Sequence, residues 1–164
     1  MIRDRINYWF PVAQKMAEFI NDKFRKEDEA RPKSRVTKGK HIHEECPVYV
    51  GSKGAARKFP CVEIVWANEY GINLPSPTSG EIELWIYVCV KGDNSDPSDA
   101  YKMQDELQQR VLRCLQGREL PLAIGTVTGT VANAISIDSI NSDYEQNRPV
   151  MLARIKVIID WKQS

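Results

Sequence analysis

The two histidines of the chain stand at His41 and His43, followed at once by Glu44, Glu45 and Cys46. In an extended segment both imidazoles would share a face and could reach one metal ion. A structural zinc normally takes four ligands, and no second pair follows at metal-site spacing. The cluster therefore reads as a solvated loop, and no metal or small cofactor is expected. Gly51-Ser52-Lys53-Gly54 has the look of a phosphate loop, but the GxxxxGK[ST] spacing is missing. No helix pattern follows it, so no helix dipole would assist an anion there. Asp138, Asp143 and Glu145 flank a strand pattern and could in principle hold magnesium. Their setting is that of a polar, turn-forming connection. The serines stand in loops and both histidines in a polar stretch, so no nucleophile has a base beside it. The expectation is a protein without catalytic residues.

Charge points the same way. The chain has 164 residues, 23 basic and 22 acidic, for a net charge of +1. Such a balance creates no field favouring nucleic acid or an anionic membrane, and it does little to oppose self-association. Arg31, Lys33, Arg35, Lys38 and Lys40 form a basic stretch without interleaved aromatics. It could touch phosphates weakly but is no readout motif. No apolar run approaches the ~20 residues of a membrane span, and Met1-Ile2-Arg3-Asp4-Arg5 lacks a signal-peptide core. An intracellular protein is the default. Cys46, Cys61, Cys89 and Cys114 contain no CxxC pair. Cys89 in a strand pattern and Cys114 on an apolar helix face read as small buried hydrophobes in a reducing compartment.

The elements follow from periodicity. Val12, Met16, Phe19, Ile20 and Phe24 give a helical stripe over Phe10–Phe24, with Pro11 acceptable in the first turn. Residues 25–46 are charged and poor in large apolar side chains, so they read as a mobile arm or long loop within the domain. Such an arm is either a solvated linker or a partner contact. Pro47–Gly51 suits a short edge strand, and Cys61–Ala67 alternates as a better one. Asn68–Gly80 is a long connection between two strands of a hairpin. Glu81–Lys91 sets Ile82, Leu84, Ile86, Val88 and Val90 on one face and Trp85, Tyr87 and Cys89 on the other. A strand apolar on both sides is central, or is covered on one side by a neighbouring chain. Glu81 and Glu83 mark its solvated end.

Asp96 as N-cap and Pro97 at N1 open a helix over Pro97–Gln116. Ala100, Met103, Leu107, Val111 and Cys114 form its apolar stripe. Asp105 and Glu106 precede Arg110 and Arg113, the order the helix dipole prefers. Gly117 closes it. Val127–Ile137, interrupted by Gly129, predicts one bent strand or two short ones. In Val150–Trp161, Met151, Ala153, Ile155, Val157, Ile159 and Trp161 face the core. Arg154, Lys156, Asp160, Leu152 and Ile158 face out. The order predicts one α+β domain over 1–164: a single, mostly antiparallel sheet with two main helices packed on one face.

EIELWIYVCVKG (Glu81–Gly92), SDAYKMQDELQQRVLRCL (Ser98–Leu115) and DYEQNRPVMLARIKVIIDW (Asp143–Trp161) together resemble the tail-terminator proteins of long-tailed bacteriophages, the phage lambda tail protein U group. The N-terminal helix and Cys61–Ala67 fit the same element order, so the resemblance covers about two-thirds of the chain; it is one of pattern, without an invariant motif. It implies a non-enzymatic phage or prophage virion protein. Such a protein forms a homo-oligomeric ring, typically hexameric, on the finished tail tube and joins it to the head. The implied partners are other copies of the chain, the major tail-tube protein and a head-completion protein, with DNA only as cargo passing through the ring. The implied location is the bacterial host cytoplasm during assembly and then the virion tail. Apolar surface beyond one core's needs would supply the contacts, with Trp85, Tyr87, Tyr70, Leu152, Ile158, Arg31, Lys33 and Arg35 as the candidate interface residues. Two rival readings stand beside it: a nucleic-acid-binding sheet platform using Trp85 and Tyr87, or a small α+β enzyme of unknown substrate.

Overall fold

A computed structural model describes residues 9–30, 46–51, 58–70, 79–92, 98–115, 127–131, 136–139 and 150–163. Helix α1 spans Trp9–Ala30, followed by strands β1 (Val48–Val50), β2 (Cys61–Tyr70) and β3 (Ser79–Lys91). Helix α2 spans Ser98–Leu115, and β4 (Val127–Val131), β5 (Ser136–Ser139) and β6 (Val150–Gln163) complete the order. The class is α+β with a mostly antiparallel sheet.

The sheet runs β1-β2-β3-β6 and then β4, with β5 also paired to β6. Only β1 is parallel to its neighbour, among the described strands. It occupies the edge, held where the Gly51 N–H donates to the Ile64 carbonyl at 2.8 Å and the Val62 N–H to the Pro47 carbonyl at 3.0 Å. The β2–β3 hairpin pairing is present, and β2 continues to Tyr70, three residues beyond the alternating run Cys61–Ala67. β3 lies between β2 and β6, so both of its hydrogen-bonding edges are paired within the chain. β4 and β5 divide the far side of β6, pairing with residues 159–163 and 154–156. The Val/Thr-rich segment is thus two short strands.

One face of the sheet and both helices supply a single core. Val62 and Ile64 of β2 join Ile82, Leu84, Ile86, Val88 and Val90 of β3. Met151, Ala153, Ile155, Val157, Ile159 and Trp161 come from β6. α1 adds Val12, Met16, Ile20 and Phe24 at four-residue spacing, with Ala13 and Ala17 beside them. Phe19 is half-buried at the margin of this stripe. From α2 come Ala100, Leu107, Val111, Cys114 and Leu115, with Met103 half-buried. The N-cap residues Asp96 and Pro97, and Gly117, lie outside the described residues.

One local reading is corrected and another is extended. The helix expected to end at Phe24 runs to Ala30, which removes residues 25–30 from the proposed arm; residues 31–45 lie outside the described residues. Exposed pairs line this extension, with Asp22 bound by Arg25 at 2.6 Å and by Lys26 at 3.0 Å. The Arg25 hydrogen bond, then Lys26, holds the Asp22 carboxyl below its ordinary range. Exposed pairs of this kind contribute little to stability. The stronger cause is Arg110, which its place in the α2 dipole order left without a tertiary role and which is wholly buried. Its Nε donates to Glu27 Oε2 at 2.6 Å, and its Nη2 donates to Asp28 Oδ1 and to the Phe24 carbonyl, both at 2.8 Å. Its guanidinium carbon also lies 4.2 Å from the Phe24 ring centroid. A cation buried with two carboxylates fixes the last turns of α1 against α2.

The arrangement is asymmetric, because Glu27 and Asp28 keep contact with water while Arg110 has none. Replacing both carboxylates by Glu27→Gln and Asp28→Asn strands a buried cation and should cost about 3–5 kcal/mol in urea unfolding. Arg110→Met substitutes an apolar chain of similar length and leaves carboxylates that water can reach, so it should cost less. The opposite order would show that the clamp is not governed by desolvation of Arg110.

Gly80 stands opposite Trp161 in the β3–β6 ladder. A Cβ at residue 80 would lie 2.8 Å from Trp161 Nε1 and 3.0 Å from two further ring atoms. Gly80→Ala should therefore destabilise by about 1–3 kcal/mol through overpacking. Gly51 has φ of +84° and open space around it, so Gly51→Ala should cost about 1–2 kcal/mol from backbone conformation alone. Adding Trp161→Phe, which narrows the ring, should recover stability in Gly80→Ala and not in Gly51→Ala.

Candidate assembly surface

The period of two leaves a second set of side chains on the face of the sheet away from the core set. On β3 these are Glu81, Glu83, Trp85, Tyr87, Cys89 and Lys91, and on β6 they are Leu152, Arg154, Lys156, Ile158 and Asp160. The register places Tyr87 opposite Arg154, Trp85 opposite Lys156, Cys89 opposite Leu152 and Glu83 opposite Ile158. Four proposed interface residues, Trp85, Tyr87, Leu152 and Ile158, thus share the centre of one surface, and all four are half-buried. Tyr70 pairs with Glu81 at the end of β2, near the acidic end of the same surface. Arg31, Lys33 and Arg35 lie outside the described residues, as do His41 and His43.

Cations cover the aromatic centre. The guanidinium carbon of Arg154 lies 4.1 Å from the Trp85 ring centroid, and Lys156 Nζ lies 5.8 Å from it. Contacts of this type contribute about 0.5–1 kcal/mol when exposed and more when desolvated. Lys156 also pairs with Glu83 at 3.1 Å. Glu83, read as part of a solvated strand end, is therefore 7% exposed, whereas Glu81 is exposed as expected. The cross-strand neighbourhood of Lys156 lets Glu83 sit inside the ladder as half of an ion pair. Glu63 of β2 is buried on the same face and accepts the Cys89 Sγ contact at 3.6 Å.

A second cluster was not anticipated. Trp66 is 42% exposed although its neighbours Val62 and Ile64 on that side of β2 are buried. The β2–β3 register shifts between Trp66 and Asn68, and Trp66 stacks on Trp9 with centroids 5.7 Å apart. Phe10, 43% exposed, meets Trp9 edge-on at 5.4 Å. The signal in the sequence is Trp9, apolar enough to pack on something or to lead into the helix, though its partner Trp66 is not visible there.

Among the described residues, no group of three His, Cys, Asp or Glu side chains is placed to hold a metal ion. No helix among them is long and apolar enough to cross a membrane. Burial pushes the Cys46 thiol up to about 12 and the Cys114 thiol up to about 11. The arrangement offers contact chemistry: an apolar centre, paired charges around it and a carboxylate pair, Glu81 opposite Asp160, at one end. Comparison with known proteins finds no family model and no curated protein that matches the chain.

The Glu83–Lys156 pair should show up as non-additivity. Glu83→Gln and Lys156→Met, made singly and together, should give a coupling of about 0.5–3 kcal/mol in chemical unfolding. Strict additivity would mean that the close approach contributes nothing to stability.

Proposed function

We propose that this chain is a structural phage or prophage protein, a tail terminator that closes into a homo-oligomeric ring on the tail tube and joins it to the head. The observation that carries this reading is the second face of the two central strands. Trp85, Tyr87, Leu152 and Ile158 cluster there without being fully buried by their own chain. Apolar surface gathered in this way marks contact sites on soluble proteins. A ring requires a heterologous contact whose rotation closes, and a chain with net charge +1 offers little repulsion against it. The strand and helix pattern resembling tail-terminator proteins supplies the particular role. The partners are other copies of the chain, probed first as a hexamer, then the tube protein and a head-completion protein. The working places are the host cytoplasm during assembly and the virion tail.

A second reading has one observation in its favour: Arg154 and Lys156 beside Trp85 place cations next to an aromatic on a sheet. A single-strand-binding platform stacks bases on such rings. Against it, Arg154 already covers the Trp85 ring and Glu83 neutralises Lys156.

Mass photometry over a range of concentrations, alone and with isolated tail tubes, tests the proposal. A closed oligomer of fixed number is expected under at least one of these conditions. Trp85→Glu should leave the monomer folded, since the ring is half-buried, and should abolish the oligomer by placing an unpaired carboxylate in a dry contact. A protein that remains monomeric under every condition would sink the proposal. Salt-sensitive single-strand binding that Trp85→Ala removes, with assembly unaffected, would install the second reading.

A further inference from the structure

Cys61 is the first residue of β2, and Cys89 lies two residues before the last of β3. The register sets them directly opposite each other. Opposed residues of an antiparallel pair have Cα atoms about 4.5–5.5 Å apart, within the roughly 4.4–6.8 Å that a disulfide spans. Both side chains lie on the face away from the core set, both are fully buried, and both are thiols. Cys46, by contrast, belongs to the core cluster, as does Cys114 on α2.

We propose that Cys61 and Cys89 form a reversible cross-strand disulfide in an oxidising medium, a covalent tie between β2 and the central strand β3. The inference goes beyond the assembly reading and does not rest on it. The oxidant is a small disulfide such as glutathione disulfide. The thiolate of one cysteine attacks an oxidant sulfur, its S–S bond breaks, and one glutathione thiolate leaves. The second cysteine, deprotonated in turn, attacks the mixed disulfide and displaces the other glutathione. Two electrons pass to the oxidant, and the two protons end on the two glutathione thiols. Cβ atoms of directly opposed residues sit about 4.5–5.5 Å apart, wider than the roughly 3.5–4.5 Å of a relaxed bridge. The bond is therefore strained and readily reduced, as labile bridges are. Access comes from the strand end, because terminal ladder residues open locally before the whole domain unfolds.

The test incubates the folded full chain in glutathione buffers from reducing to oxidising, quenches in acid, alkylates and digests after Lys, Arg and Glu. Cleavage after Lys58, Glu63, Glu83 and Lys91 puts Cys61 on peptide 59–63 and Cys89 on peptide 84–91, apart from the other two cysteines. The expected product is these two peptides joined, with the loss of two hydrogens, and separated again by excess reduced glutathione. A Cys46→Ala, Cys114→Ala variant should give the same bridge. The proposal is overturned by a Cys46–Cys61 bridge, by lasting glutathione adducts on single cysteines, or by thiols that stay reduced until denaturant is added.

Discussion

Every residue of β3 is paired with β6, from Ser79 opposite Lys162 to Lys91 opposite Val150, and both faces of the protein depend on that register. Inward, it stacks Leu84 on Val157 and Ile86 on Ile155 to form the centre of the core. Outward, the same pairing brings Trp85 beside Lys156 and Tyr87 beside Arg154. A slip of one residue would turn the whole aliphatic set outward and bury Arg154, Lys156 and Asp160 among the helices. Core and candidate surface are thus consequences of one ladder, and neither can change its register without the other. Gly80 opposite Trp161 helps to set the register, because the indole occupies the space where another residue would carry its Cβ.

The helical side has a different constraint. α1 contributes an apolar stripe whose packing ends at Phe24, and its last turns are charged. Apolar burial cannot hold those turns, so Arg110 does so by binding Glu27, Asp28 and the Phe24 carbonyl together. Such a clamp contributes more to geometry than to net stability, since desolvating the guanidinium offsets most of the attraction. It determines where the chain leaves α1 on its way to the charged stretch that follows.

The features legible in the sequence were those with a local period. Alternation over Glu81–Lys91 and Val150–Trp161 assigned the inward residues of both strands correctly, because side-chain direction in a strand depends only on parity. The stripe on α2 was equally visible. Arg110 was not, because its partners lie 82 and 83 residues away and the helix dipole offered a sufficient local reason for a cation there. Glu83 was misread for the same reason, since its partner Lys156 stands on a strand that only the fold brings beside it. Trp66 escaped because a register shift in β2, not a change in composition, leaves it at the surface. Four of the proposed interface residues come together for the reason that made them visible, their shared parity on two long strands. Nothing in a local pattern could say that Arg154 would lie over Trp85.

That last contact bears on how the sheet carries an aromatic on its outer face. An exposed indole at the centre of a sheet invites indiscriminate association, and a guanidinium over its ring lowers that risk while the chain is alone. The cover is an arginine, whose planar guanidinium can stack on an aromatic face while its N–H groups remain engaged at its edge. Lys156 lies farther from the ring, at 5.8 Å, and pairs with Glu83 at 3.1 Å. The free end of the surface, where Glu81 faces Asp160, carries two like charges opposite one another, an unfavourable cross-strand pairing. The face thus combines an aromatic centre covered by a cation with an acidic end set by the same ladder.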